Sequence, residues 1–267
     1  MMSFLTYDFM KNALMAILII SPLFGILGTM IVSRKMAFFS DALGHSALTG
    51  IAIGVVFGVK DVNISMMVFA VLFALALNTI SRKVAASNDT IISVFSSASL
   101  AVGLVILSKG GTFSKYSAML VGDILSITRS EMIYLAVIFV ITLLFWLFCG
   151  NKLQAISLNT TLARSRNIRI RLLEDAFAVL VALVVMVSIK WVGILIINAM
   201  LILPAASSAN ISANLREYHF FSVVFACFSG ISGLITSYYT NVATGPMIVI
   251  VASLIYFGTY IYAKCYK

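Results

Sequence analysis

Long apolar stretches separated by short polar or charged segments run through the whole chain. A membrane-spanning helix needs about 20 predominantly apolar residues, and nine stretches approach or reach that length. We predict spans near 12–33, 36–58, 62–81, 90–108, 132–149, 172–189, 191–208, 219–238 and 245–263. The pattern therefore predicts an all-α, polytopic transmembrane helix bundle of about eight to nine spans, with residues 1–267 forming a single transmembrane domain.

The composition agrees with this pattern. Hydrophobic residues make up 62% of the chain and charged residues only 10%, whereas a soluble domain carries about 25% charged residues. A soluble fold needs more polar surface than this chain can offer. We therefore expect a multi-pass protein of a cell membrane, either a bacterial inner membrane or a plasma membrane, and exclude most soluble enzymes.

The basic residues predict an orientation in the membrane. Lys and Arg number 18 against nine Asp and Glu, and cytoplasmic loops carry the excess of Lys and Arg. Nine spans with an external N-terminus place twelve of the 18 basic residues on one side, which we assign to the cytoplasm. This assignment requires 110–129 to remain outside as a re-entrant or surface segment. No basic patch is interleaved with stacking aromatic residues, so no nucleic-acid partner is expected.

The strongest candidate site is Asp41 with His45 in the segment SDALGHS. Residues four apart project from one face of a helix, and His45 falls near the middle of the second predicted span. Ionisable residues at that depth are costly and usually face a partner or a water-filled path. A carboxylate with an imidazole suits zinc or manganese, so we favour a metal site over a helix cap beside a core histidine.

Two other polar residues are candidate metal ligands. Asp123 lies between apolar residues and could be a ligand, a gate element or a helix cap. Asn198, inside the seventh predicted span, either hydrogen-bonds between helices or lines a permeation path.

Two further acidic residues, Glu174 and Asp175, open the sixth predicted span beside Arg169 and Arg171. We interpret them as members of a surface ion pair at the membrane interface rather than as metal ligands.

The polar segment 207–218 (SSANISANLREY) separates two predicted spans on the cytoplasmic side. Ile211 and Leu215 are four residues apart and could share a face of an amphipathic surface helix. Such a helix could dock into a groove on a cytoplasmic partner, whereas the alternative is an ordinary loop between helices.

Four blocks of the sequence resemble the membrane permeases of zinc/manganese-type ABC importers and occur in the same order as in that family. The resemblance extends over nearly the whole chain. The blocks are 36–46 (MAFFSDALGHS), 120–125 (LVGDIL), WVG at 191–193 through LPAA at 203–206, and 244–246 (TGP).

The resemblance implies a fold like that of type II ABC importers and a homodimer. It also implies two cytoplasmic ATPase subunits, an extracytoplasmic metal-binding protein as the source of metal, and contact with membrane lipid. Asp41 and His45 match the permeation-site carboxylate and histidine of the family, although Gly44 stands where many relatives have Ser or Ala. The segment 207–218 matches the segment gripped by the ATPase. The expected coupling residues are Ser208, Asn210, Ile211, Asn214, Leu215 and Arg216.

The expected activity is therefore inward transport of a divalent transition metal, with zinc favoured over manganese and no permanently bound cofactor. No GxxxxGK[ST] occurs, so ATP hydrolysis is assigned to a separate chain. The absence of HExxH and GxSxG argues against an intramembrane hydrolase. An ion-coupled secondary transporter with Asp41 and His45 as a proton relay is the alternative hypothesis.

Overall fold

The computed structural model describes residues 7–83, 87–109, 111, 113, 114, 116 and 122–266. These residues form ten α-helices with defined ends and one short 3-10 helix, Ile124–Ser126, and no strand is present among them. The α-helices are α1 (Asp8–Ser33), α2 (Ala37–Val56), α3 (Val62–Ser81), α4 (Asn88–Lys109), α5 (Arg129–Leu158), α6 (Thr160–Ser165), α7 (Ile170–Val192), α8 (Ile194–Ile211), α9 (Leu215–Thr240) and α10 (Thr244–Tyr266).

Eight of these helices are long and apolar enough to cross a membrane, namely α1 to α5, α7, α9 and α10. The prediction of an all-α bundle with about eight to nine spans is confirmed. The ninth candidate, 191–208, corresponds to α8, whose apolar part is the shorter helix Ile196–Ile211. Most of 110–121, which was expected to be re-entrant, lies outside the described residues.

The chain divides into two compact units. The first unit comprises 1–35, 122–143 and 191–267, and the second comprises 36–121 and 144–190. The expectation of a single transmembrane domain stays a prediction.

In the first unit, small residues let the helices approach closely. A Cβ on Gly25 of α1 would lie 2.8 Å from the Cα of Val223 in α9. Across the same contact, Ser222 Oγ donates to the carbonyl of Gly25 at 2.7 Å, and Tyr218 Oη donates to the carbonyl of Thr29 at 3.2 Å. Close approach of small residues and hydroxyl bonds to the backbone are typical of packing between membrane helices.

In the second unit, α2 packs against both α3 and α4. A Cβ on Gly50 would lie 2.8 Å from the Cα of Met66, so Gly50 permits close packing on α3. Ser65 Oγ of α3 donates to the carbonyl of Gly50 at 2.8 Å. This packing holds the helix that carries Asp41 and His45.

A break at Gly193 separates α7 from α8. Gly193 has φ 80° and Gly122 has φ 70°, a left-handed region that glycine enters without a Cβ penalty. The sequence places the boundary between the sixth and seventh spans two to three residues earlier, near residue 190. The helix instead ends where the backbone must reverse to φ above zero.

Candidate metal-binding site

The carboxylate of Asp41 and the imidazole of His45 lie side by side on α2. His45 Nε2 is 3.6 Å from Asp41 Oδ1, one helical turn away. Adjacent ligands of a tetrahedral zinc ion with bonds of about 2.1 Å lie about 3.4 Å apart. The two side chains are therefore spaced to contact one cation together.

The position of the pair argues against a capping role. The helix begins at Ala37 after Met36, and its first turn contains no acidic residue, so Asp41 lies beyond the capping positions. The side chains of His45 and Asp41 are 37% and 44% exposed in the single chain. Most of α2 around them is buried, including Ser40, Gly44 and Ser46. A half-exposed carboxylate and imidazole in an otherwise buried, apolar helix are positioned to bind an ion.

A buried hydroxyl pair fixes α2 one turn beyond His45. Thr49 Oγ1 donates to the carbonyl of Ser99 in α4, and Ser99 Oγ donates back to Thr49 Oγ1 at 2.9 Å. Gly103 of α4 permits this approach, since a Cβ there would lie 2.8 Å from the backbone nitrogen of Thr49. Sequence reasoning missed this pair, and the only available signal was a hydroxyl four residues after His45.

Asp123 acts as a helix cap in the structure. Its carboxylate accepts from the N–H of Leu125 at 3.0 Å, and its carbonyl accepts from Ser126 Oγ at 2.7 Å. The sequence left three roles open for Asp123, and these hydrogen bonds support the role of helix cap. Its predicted ligand role stays a prediction.

Asn198 lies in α8, half-buried, with its amide oxygen shielded from solvent. It belongs to the first unit, as does Asp123, whereas Asp41 and His45 belong to the second. Among the described residues, no group of three or more His, Cys, Asp or Glu side chains could hold a metal ion. Within the described chain, the candidate site therefore consists of two ligands.

Glu174 and Asp175 form ion pairs, as expected, and the cation in these pairs is Arg82. Arg82 Nη2 lies 2.8 Å from Asp175 Oδ1 and 3.2 Å from Glu174 Oε2. The partners come from different helices, so local spacing in the sequence could not identify them. The contact brings the end of α3 to the start of α7, as the sequence-based assignment of both to one membrane side requires.

The segment 207–218 forms a corner between two helices, which is the second of the two alternatives that the sequence left open. Ile211 ends α8, and Leu215 is the first residue of α9. Asn214 caps α9 by accepting from the N–H of Glu217 at 2.9 Å, while Glu217 Oε2 accepts from the N–H of Ala213 at 2.9 Å. This reciprocal arrangement resembles a capping box, and it stops one helix from continuing into the next.

The corner has a buried side and an exposed side. Ser208 is fully buried and donates through Oγ to the carbonyl of Tyr218 at 2.7 Å, so it supports the corner from within and offers no surface to a partner. Asn210 and Ile211 are half-buried. The exposed coupling candidates are Asn214, Leu215 and Arg216.

Comparison with known proteins identifies the family. A model of the ABC 3 transport family, ABC-3, matches residues 6–263. The chain belongs to this family. The match spans nearly the whole chain, as expected from the four sequence blocks.

Two curated relatives of this ABC-3 protein carry different metals in their names. It is 28% identical over 257 residues to the manganese transport system membrane protein MntC of Listeria innocua, covering 96% of this chain and 91% of the relative. It is 28% identical over 251 residues to the high-affinity zinc uptake system membrane protein ZnuB of Haemophilus influenzae, covering 94% and 96%.

Among solved structures, the protein is similar to PsaBC from Streptococcus pneumoniae in complex with Fab. The TM-score is 0.84 at 27% identity, and the match covers 98% of this chain and 97% of the other. The protein is thus a membrane permease subunit of a metal-ion ABC importer, a transport subunit rather than an enzyme. Family membership favours this hypothesis over the ion-coupled secondary transporter.

Proposed function

We propose that the permease moves a divalent transition metal, with zinc preferred over manganese, into the cytoplasm through a transient site formed by Asp41 and His45. The observation that carries the proposal is a carboxylate and an imidazole 3.6 Å apart, half-exposed in the middle of a span. Such residues in a membrane are costly unless they serve an ion or each other.

The incomplete ligand set suits transport. A transported ion must bind well enough to enter and weakly enough to leave, and two ligands from one chain do not close a tetrahedral shell. A second copy of the permease related by two-fold symmetry would supply the same pair again. Four side-chain ligands across a homodimer would replace several waters of the ion.

The ligand chemistry supports the proposed preference for zinc. Imidazole nitrogen suits zinc, whereas manganese favours carboxylate, carbonyl and water oxygens. The spacing of Nε2 and Oδ1 is close to that of neighbouring ligands in a tetrahedral zinc shell. Relatives named for zinc and for manganese are equally similar to this chain, so the metal must be measured.

Transport would proceed by alternating access. An extracytoplasmic binding protein would deliver the metal, and ATP binding and hydrolysis in a separate cytoplasmic ATPase would act on the corner at 207–218. The ion is coupled to this switch only if the outward and inward states bind it with different affinity.

The test is uptake of zinc and manganese into vesicles containing the permease, its ATPase and its binding protein. For Asp41→Asn and His45→Gln we expect ATP-dependent uptake to fall at least about tenfold, as loss of a metal ligand or its supporting partner does elsewhere. Asp89→Asn is the matched control, because Asp89 is an exposed carboxylate in the first turn of α4. Wild-type uptake by both variants would overturn the assignment of the site, and manganese uptake exceeding zinc uptake would overturn the metal preference.

A further inference from the structure

Phe38 lies on α2 at the cytoplasmic side of the pair formed by Asp41 and His45. It is the second residue of the helix and follows the basic residues Arg34 and Lys35 closely in the chain. Because an excess of basic residues marks the cytoplasmic ends of spans, α2 enters the membrane from the cytoplasm. An ion that leaves the pair along α2 towards the cytoplasm therefore passes Phe38.

Phe38 shares one exposed face of α2 with the two candidate ligands. It precedes Asp41 by three residues and His45 by seven, so at 3.6 residues per turn the three side chains fall within an arc of about 60°. Phe38 is 54% exposed, and the Asp41 and His45 side chains are 44% and 37% exposed. Phe39 and Ala42, which border this face, are each 1% exposed. The exposed stripe of α2, formed by Phe38, Asp41 and His45, thus has an aromatic ring at its cytoplasmic end.

The exposed stripe ends just beyond His45. On the outer side of His45 the helix is covered, since Leu48 is 1% and Ala52 is 0% exposed. Every residue of α2 is described, and its other exposed large apolar side chain is Val56, the last residue of the helix. Phe38 is therefore the large apolar side chain that neighbours the pair on its exposed face.

The polar pair indicates what this face meets. Ionisable residues within a span face a partner or a water-filled path, because contact with lipid is costly to them. Phe38 lies on the same face one turn from Asp41, so its ring borders the same path and not the acyl chains. More than half of Phe38 is left uncovered by its own chain, so core packing does not account for it. A large apolar side chain beside an ion path forms a constriction that excludes water and with it the hydrated ion.

We propose that Phe38 is the gate residue that separates the metal from the cytoplasm, an inference that rests on the proposed permeation site at Asp41 and His45. In the outward-facing state the Phe38 ring blocks the path between the site and the cytoplasm. In a two-fold homodimer, the partner subunit's Phe38 would supply the matching ring from the opposite side. In the inward-facing state the constriction opens and the ion leaves.

The first test measures zinc leak into proteoliposomes that contain the permease with its ATPase and a zinc-sensitive dye, without ATP. We expect Phe38→Ala to raise this leak at least about fivefold, because the smaller side chain leaves the constriction wet. With ATP and the binding protein present, zinc taken up per ATP hydrolysed should fall in the same variant. Phe38→Leu keeps an apolar side chain and should leak far less than Phe38→Ala.

Phe57→Ala is the matched control. Phe57 is 77% exposed and lies at the opposite, outer end of α2, so its loss should leave the leak at the wild-type level. Equal leak in Phe38→Ala and Phe57→Ala would overturn the gate. Failure of the permeation site itself would show separately, as wild-type uptake in Asp41→Asn with Phe38 intact.

A second measurement determines what Phe38 faces and does not depend on transport. Phe38→Cys is prepared in a background in which the native cysteines Cys149, Cys227 and Cys265 are replaced by Ser, and it is treated with a charged methanethiosulfonate reagent. We expect the reaction rate to differ at least about fivefold between the nucleotide-free and the ATP-bound complex, because the gate is wet in one state only. No reaction in either state would place Phe38 against lipid and overturn the proposal. Equal reaction in both states would overturn it as well, since a gate must change its contact with water.

Discussion

Gly122 and Gly193 lie backbone to backbone where α7 gives way to α8, and a Cβ on Gly122 would come within 2.6 Å of the Cα of Gly193. Both residues have φ above zero. The first precedes the 3-10 helix capped by Asp123, and the second is the N-cap of α8. Non-helical backbone in a membrane protein persists only where it is buried in protein or lines an aqueous cavity, and this contact is what buries it here.

We predict that Gly122→Ala prevents stable folding of the permease, because the new methyl group meets backbone that cannot move aside. Gly58→Ala is the matched control, since Gly58 also has positive φ (64°) but a Cβ added there would meet no atom within 4 Å. The control isolates backbone strain of about 1–2 kcal/mol. Yield and melting temperature in detergent are the measurements, and similar behaviour of the two variants would refute a steric role for Gly122.

The hydroxyl pair of Thr49 and Ser99 leads to a prediction about the candidate metal site. Thr49→Val keeps the shape of the side chain but removes both hydrogen bonds, so that the Ser99 hydroxyl loses its acceptor and the Ser99 carbonyl loses the bond that joins it to α2. We expect a loss of about 1–3 kcal/mol in stability and a reduced rate of metal uptake, because α2 is no longer fixed against α4 near His45.

The control for Thr49→Val is Thr79→Val, in which the exposed hydroxyl of Thr79 bonds only to the carbonyl of Leu75 within its own helix. Melting temperature and uptake should both remain close to wild type in the control. Unchanged uptake in Thr49→Val would show that the hydroxyl pair has no part in positioning Asp41 and His45.

The ion pairs of Arg82 predict a measurable coupling between α3 and α7. Arg82→Gln and Asp175→Asn should each destabilise the permease, and the double variant should lose less than the sum of the two. Exposed pairs give about 0.2–1 kcal/mol, and we expect the upper end because Asn78 Nδ2 also donates to Asp175 Oδ1 at 3.1 Å.

A double-mutant cycle on melting temperatures in detergent measures this coupling. The pair Lys11 with Asp8, one turn apart at the start of α1 and far more exposed, serves as the reference and should show less coupling. Additive effects of Arg82→Gln and Asp175→Asn would mean that the observed ion pair contributes nothing to stability.

The sequence predicts the spans well because hydrophobic length is a local property. It also places Asp41 and His45 on one helical face, since their spacing of four decides this without tertiary contacts. It could not predict that Arg82 pairs with Glu174 and Asp175, or that Ser99 meets Thr49, because both contacts join helices distant in the chain. Gly193 shows the same limit, since glycine occurs throughout membrane helices and the sequence does not reveal that Gly122 packs against this one.

The corner at 207–218 is the second of the two alternatives that the sequence left open, and a physical reason decides between them. Spacing of four between Ile211 and Leu215 favours one continuous helix, but Asn214 and Glu217 form a cap between them. An N-x-x-E sequence is the signal of such a start, and here it outweighs the apolar spacing.

The exposed side of this corner leads to the last prediction, which concerns coupling to the ATPase. Leu215 is 42% exposed and Arg216 is exposed beside it, so both can reach a cytoplasmic partner without any change in the fold. We expect Leu215→Ser and Arg216→Gln to leave the melting temperature of the permease unchanged while metal uptake per ATP hydrolysed falls about fivefold, the effect of losing one important interface contact. Lys264→Gln removes an equally exposed charge from the last turn of α10 and should leave coupling intact, whereas Ser208→Ala should lower the melting temperature because it removes a buried hydrogen bond. Normal coupling in both Leu215→Ser and Arg216→Gln would show that the ATPase contacts the permease elsewhere than at this corner.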